Sequence, residues 1–490
     1  MSLLALPTEI FEKIVTLVLP EGFESLALTC QETHSLCTPF LESHNQFRSQ
    51  YHRLALGPSS SIKTLLDLIL RIECEPIIAR YIVHADFGID KYHSYVQDFY
   101  RRHRGPLKKL LAVSHYLKKA GLDWEEYHDL IKADLRRNRY SNNYSQHVTA
   151  FVLTLLPNVK TLVLSPWQPV EASKTLLEAI VTENKLSTLP CEDLSLAQLT
   201  HIKISTYTRL KFDWWNNFPL LALPNMRSYR GPNFVARGAL YVALPSRPIS
   251  DFRCGQSLET VYLKNCCISD VTIANLLKHA PHLRSFKYTH SPERESDDEA
   301  WNIFKFIAAI EGEAGSYLEE LSIKICASTS TEDTSLKDRP IISIAPGKTF
   351  MHGFKCLRKL ALPLEIAICD HANAAFRTTN SARSLAKQGP RNFEIFINEL
   401  LPAPVSYLSL SLSGIDVDAR NDIMKAIGNH FITHQSRFPS TKEIQLLLPG
   451  DKSSIYLYKE GHSEAAGEVE NLDVIPNSTS PGFSLVYFLY

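Results

Sequence analysis

Residues 369 to 371 read Cys-Asp-His, a thiol, a carboxylate and an imidazole in immediate succession. These are the groups of a nucleophile, its general base and the partner that orients the base. Adjacent side chains point in different directions, so Cys369, Asp370 and His371 do not by themselves converge on one reacting atom. His430 and His434 sit four apart on a stretch with helical patterning, the spacing at which two imidazoles share a metal ion. No Glu or third ligand accompanies them. The patterns GxSxG, GxGxxG, GxxxxGK[ST] and HExxH are absent from the sequence. The ten cysteines run from Cys30 to Cys369 without a CxxC pair, so they read as reduced, mostly buried small side chains and not as a zinc module or a disulfide framework. These residue types predict a protein that is not an enzyme, carries no metal or cofactor, and works by binding.

Charge narrows what it binds. Lys plus Arg and Asp plus Glu number 52 each, so no global field draws the chain to nucleic acid or to a membrane surface. Two basic clusters, Arg101-Arg102-His103-Arg104 and Arg136-Arg137-Asn138-Arg139, fall at predicted helix ends, where positive charge complements the helix dipole. No apolar run approaches the roughly 18 residues of a membrane span, and no signal-peptide pattern opens the chain. A cytoplasmic or nuclear location is expected.

The elements that must position any binding residues repeat. From Ser145 onward a phrase of the form apolar-x-x-apolar-x-apolar returns after turns marked by Pro or Gly. Three copies are close in wording: PNVKTLVL from Pro157, PNMRSYRG from Pro224 and PHLRSFKY from Pro281. Others begin at Leu199, Leu258, Leu318, Leu357, Val405 and Thr441. Helical phrases lie between them, at Glu171 to Glu183, Asp270 to His279, Asp297 to Glu311, Arg391 to Leu401 and Asp416 to His430. Leu258, Val261, Leu263, Cys266 and Ile268 fill the leucine-rich-repeat template LxxLxLxxN/CxL. Each strand and helix can bury its face only against a neighbouring unit, the logic of an irregular solenoid. The competing reading is a doubly wound parallel sheet.

If the strands line one open face, the variable positions of the template face a ligand. Lys203, Arg227, Arg230, Lys264, Arg284, Lys287, Lys324 and Arg358 fall there, with Lys160, Lys359 and Lys442, against Glu259, Glu319, Glu320 and Glu443. That excess of cations would suit an acidic or phosphorylated protein segment, with Arg making paired contacts to phosphate. The alternative is that exposed strand positions simply carry soluble charge.

The amino terminus has a different texture. Ile10, Ile14 and Leu17 recur at i, i+4, i+7, and so do Phe11, Val15 and Val18, which gives one short helix two adjoining apolar stripes. Thr8 is placed as its N-cap, Pro20 and Gly22 end it, and Phe23, Leu26, Ala27 and Cys30 carry a second helix. A third follows, with Thr29 and Glu32 spaced as a capping box and Pro39 ending or bending it. So small a unit cannot enclose that much apolar surface alone. Part of it must face a partner or the rest of the chain.

The order Leu6-Pro7, Glu9-Ile10, Ile14, a Pro20-Glu21 break and Leu26-Ala27-Leu28-Thr29-Cys30 resembles the F-box, the helical motif that docks on Skp-family adaptors of cullin-RING ubiquitin ligases. It looks most like the F-box proteins of filamentous fungi, in which leucine-rich repeats follow the motif. His34 stands where the family usually has an aromatic residue, and Gly22-Phe23 replaces the commoner Asp-Leu. The resemblance implies an α/β chain with a three-helix F-box at 1–46, a helical linker at 47–75 and a degenerate leucine-rich-repeat solenoid at 76–490. It further implies a substrate-recognition subunit of an SCF-type ligase serving ubiquitin-dependent proteolysis. Leu6, Pro7, Ile10, Ile14, Leu17, Leu26 and Leu28 would touch the adaptor, and through it a cullin. The alternatives are a repeat scaffold for protein interactions without a ligase role, or a terminal hairpin packed on its own domain.

Overall fold

The computed structural model describes residues 6–57, 60–88, 105–137, 145–165, 171–186, 194–205, 218–232, 235–236, 255–291, 301–326, 351–368 and 392–411, and the strands 443–447, 454–459, 472–474 and 483–488. The chain divides into two compact units, Met1–Tyr229 and Arg230–Tyr490.

The first unit opens with α1 (Thr8–Val18), α2 (Phe23–Ala27) and α3 (Gln31–Tyr51). Several local expectations are corrected here. Pro7, not Thr8, holds the N-cap position of α1, with no side-chain cap. The cap of α3 is Cys30, whose Sγ accepts from the Thr33 amide at 3.4 Å, whereas the Thr29 hydroxyl turns back to the Leu26 carbonyl at 2.8 Å. Pro39 sits inside α3 without ending it. An internal proline costs about 3 kcal/mol, but the turns beyond it bury His44 and Tyr51 and pack Phe47 on Tyr81. That burial keeps the helix going. It therefore crosses the expected 46/47 boundary, and the 47–75 stretch read as a linker contains the first strand.

β1 (Arg53–Ala55), β2 (His84–Phe87), β3 (Thr161–Leu164) and β4 (His201–Ile204) pair in parallel and in chain order. The segment Ala79 to Phe87, which has strand composition throughout, is divided between the short helix α5 (Ile77–Tyr81) and β2, and α4 (Leu65–Cys74) precedes it. Parallel neighbours need a crossover, and helices 146–153 and 171–186 supply them and pack on each other. Along the strands alternate residues are buried: Leu54; Ala85 and Phe87; Leu162 and Leu164; Ile202 and Ile204. The residues between them are exposed in β1 and β4 (Arg53, Ala55, His201, Lys203) and half-buried in β2 and β3 (His84, Asp86, Thr161, Val163).

β5 (Ser228–Pro232) spans the division between the units. In the second unit β7 (Thr260–Ile268), β8 (Ser285–His290), β9 (Glu320–Ile325), β10 (Lys359–Pro363), β11 (Tyr407–Ser411) and β12 (Glu443–Leu447) again pair in parallel and in chain order, with β6 (Val235–Ala236) beside β7. Each of the nine repeat phrases from Pro157 to Thr441 has become one of these strands. Among the described parallel strands of each unit the order never reverses, so those strands show no switch point of the kind at which a doubly wound sheet binds its ligand. Leu258, Val261, Leu263, Cys266 and Ile268 are all buried, and Asn265 takes a left-handed φ of 54° at the bulge between Leu263 and Cys266. Asn tolerates that conformation better than other non-glycine residues.

The ladder ends differently from the repeats. β13 (Ser454–Lys459) and β15 (Phe483–Phe488) run antiparallel, and β14 (Leu472–Val474) lies outermost on β15. The apolar ending FSLVYFLY thus supplies a paired strand, as its composition required. Helix Ile303–Ala314 starts later than the phrase read as 297–311, whose residues 297–300 lie outside the described residues, and 392–400 closes in a turn of π-helix. The phrase 416–430, His430, His434, Cys369, Asp370, His371, the Arg101 cluster and Arg139 lie outside the described residues.

One turn illustrates how local chemistry fixes the frame. Helix His115–Lys119 ends on Gly121 at φ +67°, with the Leu122 amide on the Leu117 carbonyl (3.0 Å) and the Gly121 amide on the Lys118 carbonyl (3.1 Å). This is the paired C-terminal cap that favours glycine. Asp123 Oδ1 then accepts from the Glu125 and Glu126 amides at 2.8 and 2.9 Å and starts the next helix. Gly121→Ala is expected to cost about 1 kcal/mol, since a Cβ strains the left-handed region while meeting no neighbour there. Chemical denaturation would read this as a lower midpoint with an unchanged slope.

Candidate functional site

The three amino-terminal helices close a small core of their own. Phe11 and Val15 from α1 meet Phe23, Ala27 and Cys37, with Leu19, Leu26, Phe40 and Leu41 packed on them. That uses one of the two stripes of α1. The other, Ile10, Ile14 and Leu17, is turned about 100° away by helical geometry. Ile10 is 42% exposed, Leu17 71%, and Leu28, just past α2, 79%. Leu36 on α3, which sequence reasoning passed over, is 37% exposed. Large apolar side chains exposed elsewhere among the described residues are scattered singly, at Val113, Leu130, Leu186 and Val271. Scattered exposure is ordinary, whereas Ile10, Leu17, Leu28 and Leu36 all fall on one small module.

Of the residues predicted to touch an adaptor, Pro7, Ile10, Leu17 and Leu28 are exposed and Leu6 and Ile14 are half-buried. Leu26 is also half-buried, but it is drawn partly into the module's own core. His34 is exposed, so the missing aromatic opens no gap in the packing of α3.

The module is held to the strand ladder by a different set of groups. Arg80 donates to the Leu17 carbonyl at 3.2 Å and to Glu21 Oε2 at 3.4 Å. The Asn158 amide donates to Glu21 Oε1 and, at 2.8 Å, to the Arg80 carbonyl. Asn158 belongs to the PNVKTLVL phrase, so the first repeat phrase directly braces the break between α1 and α2. Beside it, His44 is buried against the Phe23 ring at 4.6 Å and hydrogen-bonds Tyr81 through Nδ1 at 2.9 Å. Burial pushes the Tyr81 phenol up to about 12, and burial likewise depresses the His44 imidazole. These contacts leave Ile10, Leu17 and Leu28 unsealed.

Apart from Lys442, which lies outside the described residues, the predicted cationic residues map to strands or strand entrances, yet they do not form a uniform basic face. Arg284 Nε lies 3.9 Å from Glu319, and Lys287 Nζ 2.8 Å from Glu320. Glu320 is held below its ordinary range: burial works against this, but Lys287, Ser285 and Lys359 outweigh it. The Arg230 guanidinium sits 4.7 Å from the Tyr262 ring centre. Backbone ladders place Glu259, Arg284, Glu319 and Arg358 in succession, so charge alternates across the second unit. Lys264 is half-buried at the β7 bulge, and Lys324 and Arg358 are exposed. Lys203 and Arg227 lie in the first unit, exposed at β4 and at the entrance to β5.

Among the described residues no group of three or more His, Cys, Asp or Glu side chains is placed to hold a metal ion. Among the described cysteines, Cys37, Cys266 and Cys267 are buried as expected of structural thiols, Cys326 is half-buried, and Cys30, Cys74 and Cys356 are exposed, against the expectation of burial at those three positions. No described helix is long and apolar enough to cross a membrane.

No family model matches the chain, and no curated protein matches it.

Proposed function

We propose that this chain is the substrate-recognition subunit of an SCF-type E3 ubiquitin ligase. In this reading the three-helix module is an F-box seated on a Skp-type adaptor, and the ladders of parallel strands are a degenerate leucine-rich-repeat solenoid that holds a protein target. The observation that carries it is the exposure of Ile10 and Leu17 on the second stripe of α1, and of Leu28 just past α2, on a module whose first stripe already closes its own core. A hairpin that merely capped its own domain would have no reason to leave that stripe in water, at a cost of roughly 25 cal/mol per Å² of apolar surface. Strands added in chain order support the repeat half of the reading.

The chain then performs no bond chemistry. It raises the effective concentration of the target beside the ligase machinery, and its task is orientation. Co-purification with a Skp-type adaptor tests this. The native chain should retain the adaptor, and the pair Leu6→Ala with Pro7→Ala should weaken retention by about tenfold or more, as truncation at an interface centre does. A chain that recovers no adaptor under any condition would be a repeat scaffold without a ligase role.

A further inference from the structure

His44 lies on α3 where the amino-terminal helices meet the strand ladder, and it is only 3% exposed. Two other helices close on its ring. From α2 comes Phe23, with ring centres 4.6 Å apart, and from α5, which leads into β2, comes Tyr81, whose hydroxyl lies 2.9 Å from Nδ1. Nε2 has no hydrogen-bond partner among the described residues. Glu24 Oε1 on α2 stands 4.0 Å from it and is already engaged by Arg48 on α3. Glu24 and Arg48 are the charges that act on the ring, and beyond Tyr81 the Arg80 guanidinium faces Glu21.

This arrangement suits a neutral imidazole. Burial pushes the Tyr81 phenol up to about 12, so its O–H stays protonated and donates, and Nδ1 accepts. Tyr81 is itself buried, and no second acceptor for its proton is present among the described residues. A proton on Nδ1 would turn that acceptor into a donor. The Tyr81 hydroxyl then loses its partner away from water, and a cation is left where the neighbouring carboxylate is shared with Arg48.

We infer that His44 is a proton-operated release between the amino-terminal helices and the ladder. Neutral, its Nδ1 receives the Tyr81 hydroxyl and holds α3 to α5; protonated, it frees α2 and α3 from that seat. The inference concerns how these helices are held to the first unit's strands, and stands whether or not they seat an adaptor.

The direction follows from linkage. Burial, the largest influence, lowers the His44 imidazole from its ordinary 6.5; Glu24 opposes this and Arg48 adds to it. A depressed imidazole stabilises the joint fully above 6.5, and that contribution is lost as pH falls through the lower, folded value. The bonds among Arg80, Asn158 and Glu21 contain no imidazole, so the break between α1 and α2 stays tethered while the His44 seat loosens. The His52 and His84 imidazoles are lowered too, by burial first. They sit at the first two strands, so a variant at position 44 separates its contribution from theirs.

The test is amide hydrogen exchange of the full chain between pH 7.5 and 5.5, corrected for the intrinsic dependence of exchange on pH. Relative to helix Glu171–Leu186, protection across Phe23–Ala27 and the part of α3 around His44 should fall at least about threefold on acidification. His44→Gln supplies Tyr81 with an uncharged acceptor at every pH and should abolish the fall. Tyr81→Phe removes the hydroxyl that favours the neutral ring, so the midpoint of the fall should move to higher pH. Protection in the native chain that stays level overturns the inference, as does protection that rises, the result expected if Nε2–H closed on Glu24. An equal fall in His44→Gln overturns it as well. Should His44→Gln lose the helices at every pH, Tyr81→Phe decides: a midpoint left in place rejects the release.

Discussion

Replacing Leu17 and Leu28 together by Asp is expected to abolish capture of a Skp-type adaptor while the chain stays folded. Both side chains are mostly in water, so their removal costs the isolated chain little, within about 0.5 kcal/mol each. In a complex the same positions would sit in a desolvated interface centre. Burying an unpaired carboxylate there costs at least about 2 kcal/mol per site, or roughly a thousandfold in affinity for the pair. Phe11→Ala with Val15→Ala makes the contrast. Those residues are fully enclosed in the module's core, and each truncation costs about 1 to 4 kcal/mol of folding stability. Binding would be lost there too, but with loss of helical circular dichroism. Loss of capture with helicity retained is what separates a contact surface from a core.

Asp134→Ala is expected to be among the most destabilising single substitutions in the first unit. Asp134 Oδ2 accepts from the Ser145 hydroxyl at 3.0 Å, the His147 amide at 3.2 Å and His147 Nδ1 at 2.7 Å. The carboxylate thus ties helix 124–137 to the start of helix 146–153, where Ser145 is itself the N-cap. Ser145 and His147 are buried, so removing the acceptor strands their donors away from water. The cost is about 3 to 5 kcal/mol, and the unfolding midpoint of the unit should fall by about 6–20 °C. The same site predicts acid sensitivity. Burial raises the Asp134 carboxyl, but the His147 and Ser145 contacts outweigh it and hold the group below its ordinary 3.8. A depressed carboxyl stabilises the fold above its unfolded value, and that contribution disappears as pH falls through the lower, folded value. Thermal scans at decreasing pH should therefore show an acid-side loss of stability that Asp134→Asn reduces.

The strands were legible because each repeat phrase concentrates apolar residues at alternate positions after a turn, and that pattern survives irregular spacing. β1 was missed: Arg53-Leu54-Ala55 buries one side chain and joins the ladder only because β2 offers it a register. Pro39 left a stop and a bend both open to local propensity, while the burial of His44 and Tyr51 that accompanies the helix past it is a tertiary gain invisible to a local window. The exposed stripe on α1 could be read directly, since two apolar stripes on one helix exceed what a three-helix core encloses. Lys160 and Lys203 stood in the repeat pattern, but that Arg53, His84 and His201 share one row across the strands follows only from strand register. The pairing of Arg284 and Lys287 with neighbouring glutamates depends on that register as well.

Amide hydrogen exchange of the full chain, with and without a purified Skp-type adaptor, tests the central claim most directly. The account predicts a one-to-one complex in which protection rises across Thr8–Val18 and Phe23–Ala27 and leaves the strand ladder as it was. Failure to form a complex, or protection confined to the strands with these two helices unchanged, would contradict it.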